Sequence, residues 1–172
     1  MDRQLARRIA QAWIDAGVDE QGALNQFGSL EEALTALLPA GEPEWAVAVV
    51  SGRPTVLAVD GRSFFSISVA GDERSSPTPT ATVWCHHVAV DPAQTSVSVA
   101  EQTEGRSRRR KWRFEFLKGP PLEVTTVEAL RGLFAREGDT EAIERVVRAL
   151  AAAAGWQVPA RQPARDSSEH SG

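Results

Sequence analysis

The sequence predicts an α+β protein in which helices at both ends of the chain flank a run of antiparallel strands. Apolar residues recur every three or four positions up to about residue 39, every second position from residue 44, and every three or four positions again towards residue 155. Short segments rich in Gly, Pro and Asp separate the stretches of period two, and no helical pattern interrupts them. Seven successive short strands favour an antiparallel sheet that curls into a small barrel or sandwich.

Two short helices are predicted at the N-terminus. The segment from Leu5 to Ala16 carries an apolar stripe, and Gly17 occupies the position of a helix C-cap. The second helix is expected to begin after Ser29, because Ser29 and Glu32 have the spacing of a capping box, and to end at Pro39.

The main body is predicted to contain seven strands. The period of about two indicates strands, and turn signals such as Asp60-Gly61 separate them. The predicted strands are Glu44 to Val50, Thr55 to Asp60, Ser63 to Ala70, Thr82 to Val90, Thr95 to Gln102, Arg108 to Leu117 and Leu122 to Thr125.

After the last strand the pattern is helical again. Thr125 and Glu128 have the spacing of a capping box, which predicts a helix over Val127 to Arg136. A longer helix is predicted from an N-cap at Asp139 to Gly155, with a continuous apolar stripe that suits the open end of a barrel.

These patterns predict three parts of the chain. Residues 1–39 form an N-terminal helical extension and residues 44–156 form the β-rich body with its C-terminal helices. Residues 157–172 are polar and contain two prolines, so they are expected to be disordered.

Three stretches carry a family resemblance: Val47 to Val50, Val56 to Phe65 and Lys111 to Phe116. With the order of the elements, they resemble the pleckstrin-homology-like (PH-like) fold as it occurs in bacterial proteins, over about residues 44–155. The resemblance implies a seven-stranded barrel closed by a C-terminal helix, here Thr140 to Ala154. It also implies a scaffold that binds proteins, peptides or lipid headgroups.

Composition restricts the function classes. The 172 residues carry a net charge of -4, which argues against a surface that coats nucleic acid or an anionic membrane. One cysteine cannot close an intramolecular disulfide, and the N-terminal segment lacks the apolar run of a secretory signal. The longest uncharged run, Ser75 to Val90, is too short and polar to span a bilayer. A cytoplasmic location is therefore predicted.

A basic cluster holds nearly all the unusual charge. Its six cations are Arg106, Arg108, Arg109, Arg110, Lys111 and Arg113. On a strand, Arg109, Lys111 and Arg113 share the solvated face, while the aromatic residues that alternate with them face the core. One interpretation is a solvated hairpin whose charge is partly offset by Glu101 and Glu104. The other is a site for a lipid headgroup, a nucleic-acid phosphate or an acidic protein.

The sequence Trp84-Cys85-His86-His87 is the one grouping of Cys and His. Cys85 and His87 would share a strand face, but tetrahedral zinc requires three or four ligands, and a nucleophile pair would need an orienting group and an oxyanion site. Known phosphate-loop, nucleophile-elbow and metalloprotease motifs are absent from the sequence. No catalytic residue, metal or cofactor is predicted.

Phe64 is predicted to lie on the outer face of its strand, because Phe65 and Ile67 alternate with it and are expected to point inward. An N-terminal helix should cover this face, with Ile9 and Trp13 as counterparts, unless a partner does so.

The leading functional prediction is a non-enzymatic protein-interaction module or adaptor. It would bind a protein partner or form a homodimer through its N-terminal helices or a sheet edge. Anion recognition through the basic cluster is an alternative, and an enzyme centred on Cys85 and His87 is another.

Overall fold

The computed structural model describes residues 3–16, 20–38, 41–50, 53–71, 81–104, 107–129 and 137–156. In these ranges the helices are α1 (Arg3–Asp15), α2 (Glu20–Leu37) and α3 (Glu137–Ala153). The strands are β1 (Glu44–Val50), β2 (Arg53–Asp60), β3 (Ser63–Gly71), β4 (Ala81–Ala89), β5 (Thr95–Glu104), β6 (Ser107–Phe116) and β7 (Leu122–Ala129). None of the described helices has the length and apolar character needed to cross a membrane.

The strands form two antiparallel sheets, one in the order β1-β2-β3-β4 and the other in the order β5-β6-β7. The α+β class and the seven antiparallel strands are confirmed, but barrel closure is wrong. Between β4 and β5 the chain turns at Asp91, whose carboxylate accepts a hydrogen bond from the Ala93 N–H at 3.0 Å and whose carbonyl accepts one from the Gln94 N–H at 2.9 Å. This turn separates β5 from the four-stranded sheet, so β4 and β5 do not pair.

The four-stranded sheet is buried on both faces. One face packs with the three-stranded sheet and α3 in a first core, and the other packs with α1 and α2 in a second core. The apolar run from Val56 to Val59 in β2 is buried at every position, because alternate residues enter different cores. Large side chains of the first core include Leu57, Phe64, Trp112, Phe114, Phe116 and Leu150. Those of the second include Ile9, Trp13, Leu30, Leu34, Phe65 and Ile67.

The N-terminal helices lie on the second core. The indole N–H of Trp13 donates a hydrogen bond to the Pro54 carbonyl at 3.1 Å, which joins α1 to β2. The predicted start of α2 is wrong: the helix already begins at Glu20, so Ser29 lies inside it rather than at its N-cap. Burial of Leu30 and Leu34 against the sheet stabilises this longer helix, because tertiary packing outweighs local capping preference.

The end of α3 is close to the predicted position, but the predicted start is wrong, because the helix begins at Glu137 and Asp139 lies inside it. Gly155 has a φ of 76°, its N–H donates to the Ala152 carbonyl at 2.9 Å, and the Trp156 N–H donates to the Ala151 carbonyl at 2.9 Å. This is a Schellman motif, which favours glycine at the left-handed position.

The helix predicted over Val127 to Arg136 begins wrongly, because β7 continues to Ala129, which lies opposite Ser107 of β6. The cross-strand partners of β6 extend β7 beyond the four residues that its own pattern predicted. Residues 130–136 and the predicted disordered tail, 157–172, lie outside the described residues.

Candidate functional site

The basic cluster lies on β6, and its predicted alternation is correct. Arg109, Lys111 and Arg113 are exposed, whereas Trp112 and Phe114 are 2% and 0% exposed in the first core. Arg106 lies outside the described residues.

Lys111 and Arg113, on the exposed face of β6, form ion pairs with glutamates of the same sheet. Lys111 Nζ lies 2.8 Å from Glu123 Oε2, and Arg113 lies 3.1 Å from Glu123 and 2.8 Å from Glu115. The hydrogen bond from Lys111, followed by the positive charges of Lys111 and Arg113, lowers the pKa of the exposed Glu123 carboxyl below its ordinary value. Lys111 and Arg113 are therefore paired with neighbouring carboxylates.

Arg108 and Arg110, on the other face of β6, belong to a less exposed ionic network. Arg108 and Arg110 approach the two carboxylate oxygens of Glu101 at 3.2 and 3.0 Å, although the Arg108 contact lacks hydrogen-bond geometry. Arg110 also contacts Glu144 on α3 at 2.7 Å, and Glu144 binds Arg148 at 2.7 Å. The Arg110 and Glu144 side chains are only 15% and 16% exposed, so this contact joins the hairpin to α3 where water screens it weakly.

Sequence reasoning anticipated Glu101 as a partner of the cluster but missed Glu123 and Glu144. Glu123 could have been found, because it lies directly opposite Arg113 once β6 and β7 are paired. No local signal places Glu144 near Arg110, since they are separated by 34 residues and meet only when α3 packs on the sheets.

The prediction that Phe64 meets Ile9 and Trp13 is wrong. Phe64 lies in the first core and stacks on Phe116, with ring centroids 5.7 Å apart. Ile9 and Trp13 instead pack in the second core, with the Phe65 side of the sheet. The alternation along β3 was correctly recognised, but both faces of the sheet are covered, so the pattern could not tell which cover lies on which face. All three predicted residues are at most 2% exposed and serve internal packing.

Cys85 and His87 do share one face of β4, but their surroundings are not those of an activated nucleophile. Partial burial raises the pKa of the Cys85 thiol, which disfavours the thiolate. The His87 ring stacks on Phe65 with centroids 4.5 Å apart and an interplanar angle of 7°. Across the described ranges, no group of three or more Cys, His, Asp or Glu has an arrangement that could hold a metal.

Strand β4 offers a different kind of surface, the edge of the four-stranded sheet. Among the described strands it has one neighbour, β3. Trp84 is 54% exposed although it is a large aromatic residue, and it lies opposite Ser68. His86 is exposed on the same face, opposite Ser66. Trp84 and His86 therefore form an exposed aromatic pair along this edge.

The backbone groups of β4 that face away from β3 can be identified. The Val90 N–H donates to the Arg62 carbonyl at 2.7 Å, and this pair continues the register in which Ser63 lies opposite Ala89. Hydrogen-bonded pairs alternate in an antiparallel ladder, so the even-numbered residues of β4 bond to β3 and the odd-numbered residues direct their N–H and C=O outward. The outward residues include Val83, Cys85, His87 and Ala89.

Strand β4 lacks the residues that usually prevent another strand from pairing at a sheet edge. Its nine residues, Ala81 to Ala89, contain no Asp, Glu, Lys, Arg or Pro. The other strands at the ends of the two sheets each carry a glutamate, represented by Glu44 in β1, Glu101 in β5 and Glu123 in β7. Charged and proline residues are the common means of keeping a sheet edge from pairing, so β4 is the least protected of these strands.

No protein-family model, curated protein or solved structure matches this chain.

Proposed function

We propose that this protein is a non-enzymatic protein-interaction module on a PH-like scaffold. A partner would bind by pairing an extended segment of its own chain with the edge of β4. The observation that carries the proposal is the combination of outward backbone groups and the exposed Trp84 on an uncharged edge strand. An extended segment placed there would gain main-chain hydrogen bonds from the edge and an aromatic contact from Trp84.

The arrangement of the elements supports the PH-like part of the proposal. Four antiparallel strands are followed by three more and then by an amphipathic helix that packs in the core between the sheets. The covered second face of the four-stranded sheet is an addition by α1 and α2. Since α1 already buries Ala6, Ile9, Ala10 and Trp13 there, a sheet edge is a better candidate for binding than the N-terminal helices.

The ion pairs of β6 make anion recognition the weaker candidate. A phosphate that approached Lys111 or Arg113 would compete with Glu123 and Glu115, and the Arg110 guanidinium is held by Glu101 and Glu144. A neighbouring carboxylate also repels an incoming anion.

A peptide-selection experiment tests the proposed function. Random peptides displayed on phage are selected on the immobilised full chain, and the selected peptides are synthesised. Amide hydrogen exchange of the protein with and without each peptide then maps where the peptide binds. We expect binding peptides to protect the outward amides of Val83, Cys85, His87 and Ala89, because these donors would be taken up by the added strand. Failure of a monomeric chain to select any peptide, or protection confined to β6 or to α1 and α2, would overturn the proposal.

A further inference from the structure

We propose that a second copy of this chain occupies the β4 edge, so that two β4 strands pair antiparallel about a two-fold axis at Cys85 and join two four-stranded sheets into one of eight strands. This inference rests on the proposed function of the β4 edge and specifies its partner.

Charge is the first reason for a self-pairing edge. Two identical antiparallel strands place residues of the same composition opposite one another, so a strand that carries charges can bring like charges together. The end strands β1, β5 and β7 contain glutamates, whereas β4 contains no Asp, Glu, Lys or Arg. Pairing of β4 with its copy therefore opposes no like-charged side chains.

Register is the second reason. Cys85 is the central residue of Ala81–Ala89, so a two-fold axis at Cys85 pairs all nine residues without an overhang. Cys85 would lie opposite Cys85 of the second copy, and Val83 opposite His87. All of these residues direct their backbone groups outward, so donors and acceptors would meet along the strand.

The exposed side chains of β4 also complement one another. In the same register Trp84 lies opposite His86 of the second copy, and His86 lies opposite Trp84. These are non-hydrogen-bonded pairs, in which the Cα atoms approach to about 4.5 Å and side chains pack most closely. Each copy would thus cover the exposed Trp84 of the other with an exposed aromatic ring. This aromatic contact occurs twice because the interface is symmetric.

The main test is sedimentation of the full chain over a range of protein concentrations, with variants at His87. His87→Pro removes one outward N–H and places a ring at the edge while leaving the bonds to β3 intact. We expect it to weaken self-association at least about tenfold, because the symmetric pairing would lose the bond twice. His87→Thr is the matched control: it loses the ring but keeps the N–H, so it should retain more of the self-association. A wild-type chain that stays monomeric at all concentrations would overturn the inference, as would equal association of the two variants.

A crosslinking experiment tests the register and does not depend on the proline variant. In a Cys85→Ser background, one chain carries Trp84→Cys and another carries His86→Cys. The paired Cα atoms would lie about 4.5 Å apart, inside the disulfide range of about 4.4 to 6.8 Å, whereas identical positions would be about 8 Å apart. Mild oxidation should therefore give a covalent dimer in the mixture and little from either chain alone. A dimer formed as readily by the His86→Cys chain alone would overturn the axis at Cys85.

The outcomes separate this inference from the proposed function. A monomeric chain whose selected peptides protect the β4 amides would refute the second copy and support strand addition by other partners. A monomeric chain that selects no such peptide would refute both.

Discussion

The β6 hairpin and the β4 edge differ in how they use their side chains. In β6, the cations Arg108, Arg110, Lys111 and Arg113 contact glutamates, and one of those contacts reaches α3. In β4, an uncharged strand leaves Trp84 exposed and directs alternate backbone groups away from its single described neighbour. The strongly charged segment thus has carboxylate partners within the fold, while the uncharged edge strand has backbone groups available for another contact.

Charge density is a poor guide to an interaction surface when its counter-charges are unknown. An exposed ion pair contributes little to stability, yet it reduces the net field that a ligand would encounter. Strand β4 has no Asp, Glu, Lys or Arg, but a strand added at its edge would satisfy several backbone groups at once.

The largest effect is expected from removing the carboxylate that joins the hairpin to α3. Glu144→Gln leaves Arg148 without its charged partner and Arg110 without the contact to α3, and should lower the free energy of unfolding by about 2 kcal/mol. Urea denaturation measures this difference. Glu141→Gln on the same helix is the control: Glu141 is 76% exposed, so the change should stay within about 0.5 kcal/mol. Equal effects of the two substitutions would show that the contact between Arg110 and Glu144 does not stabilise the fold.

A smaller effect, on association rather than folding, is expected in β4. Trp84→Ser should weaken self-association about tenfold, since an exposed aromatic residue at the centre of a contact commonly dominates its energy. Sedimentation measures it, and the monomer's unfolding free energy should stay within about 0.5 kcal/mol of the wild type. Leu117→Ser is the matched control, because Leu117 is 70% exposed but lies beyond the end of β6. Loss of association in both variants would indicate a general apolar effect instead of a β4 interface.

The smallest effect concerns pH and the exposed face of β6. Because Lys111 lowers the pKa of Glu123 in the folded state, Glu123 stabilises the fold above its ordinary pKa of 4.5, and that contribution is lost as the pH falls through the lower folded value. Glu123→Gln should therefore be less stable than the wild type at neutral pH and approach it as the pH falls below 4.5. Denaturant midpoints over this range measure the convergence. In a Lys111→Gln background the convergence should be reduced, and an unchanged convergence would contradict the assigned cause.

Several parts of the fold were predictable because their signals are local. The period-two stretches located all seven strands, with β1 correct at both ends, and Gly155 marked the end of α3 through its left-handed conformation. The alternation of Trp112 and Phe114 with exposed cations was also predictable, because it follows from the pleat of a single strand. The start of α2 and the extension of β7 were not, since each depends on packing or pairing with distant residues.

The candidate site divides in the same way. Sequence reasoning recognised Trp84, Cys85 and His87 as one strand but could not show that β4 ends a sheet or that Trp84 is exposed. It recognised the basic cluster but not the carboxylates that pair with it across the sheet and from α3. In both cases the missing information was the identity of a spatial neighbour.

Periodicity, turn chemistry and residue type are properties of the chain, so the α+β class, the succession of strands, the solvated face of β6 and the uncharged character of β4 could be predicted from them. The separation of the two sheets, the stacking of Phe64 on Phe116, the packing of Phe65 in the second core and the edge position of β4 could be read only from the folded chain. A strand has two faces and two edges, and which of them are covered depends on elements far away in sequence.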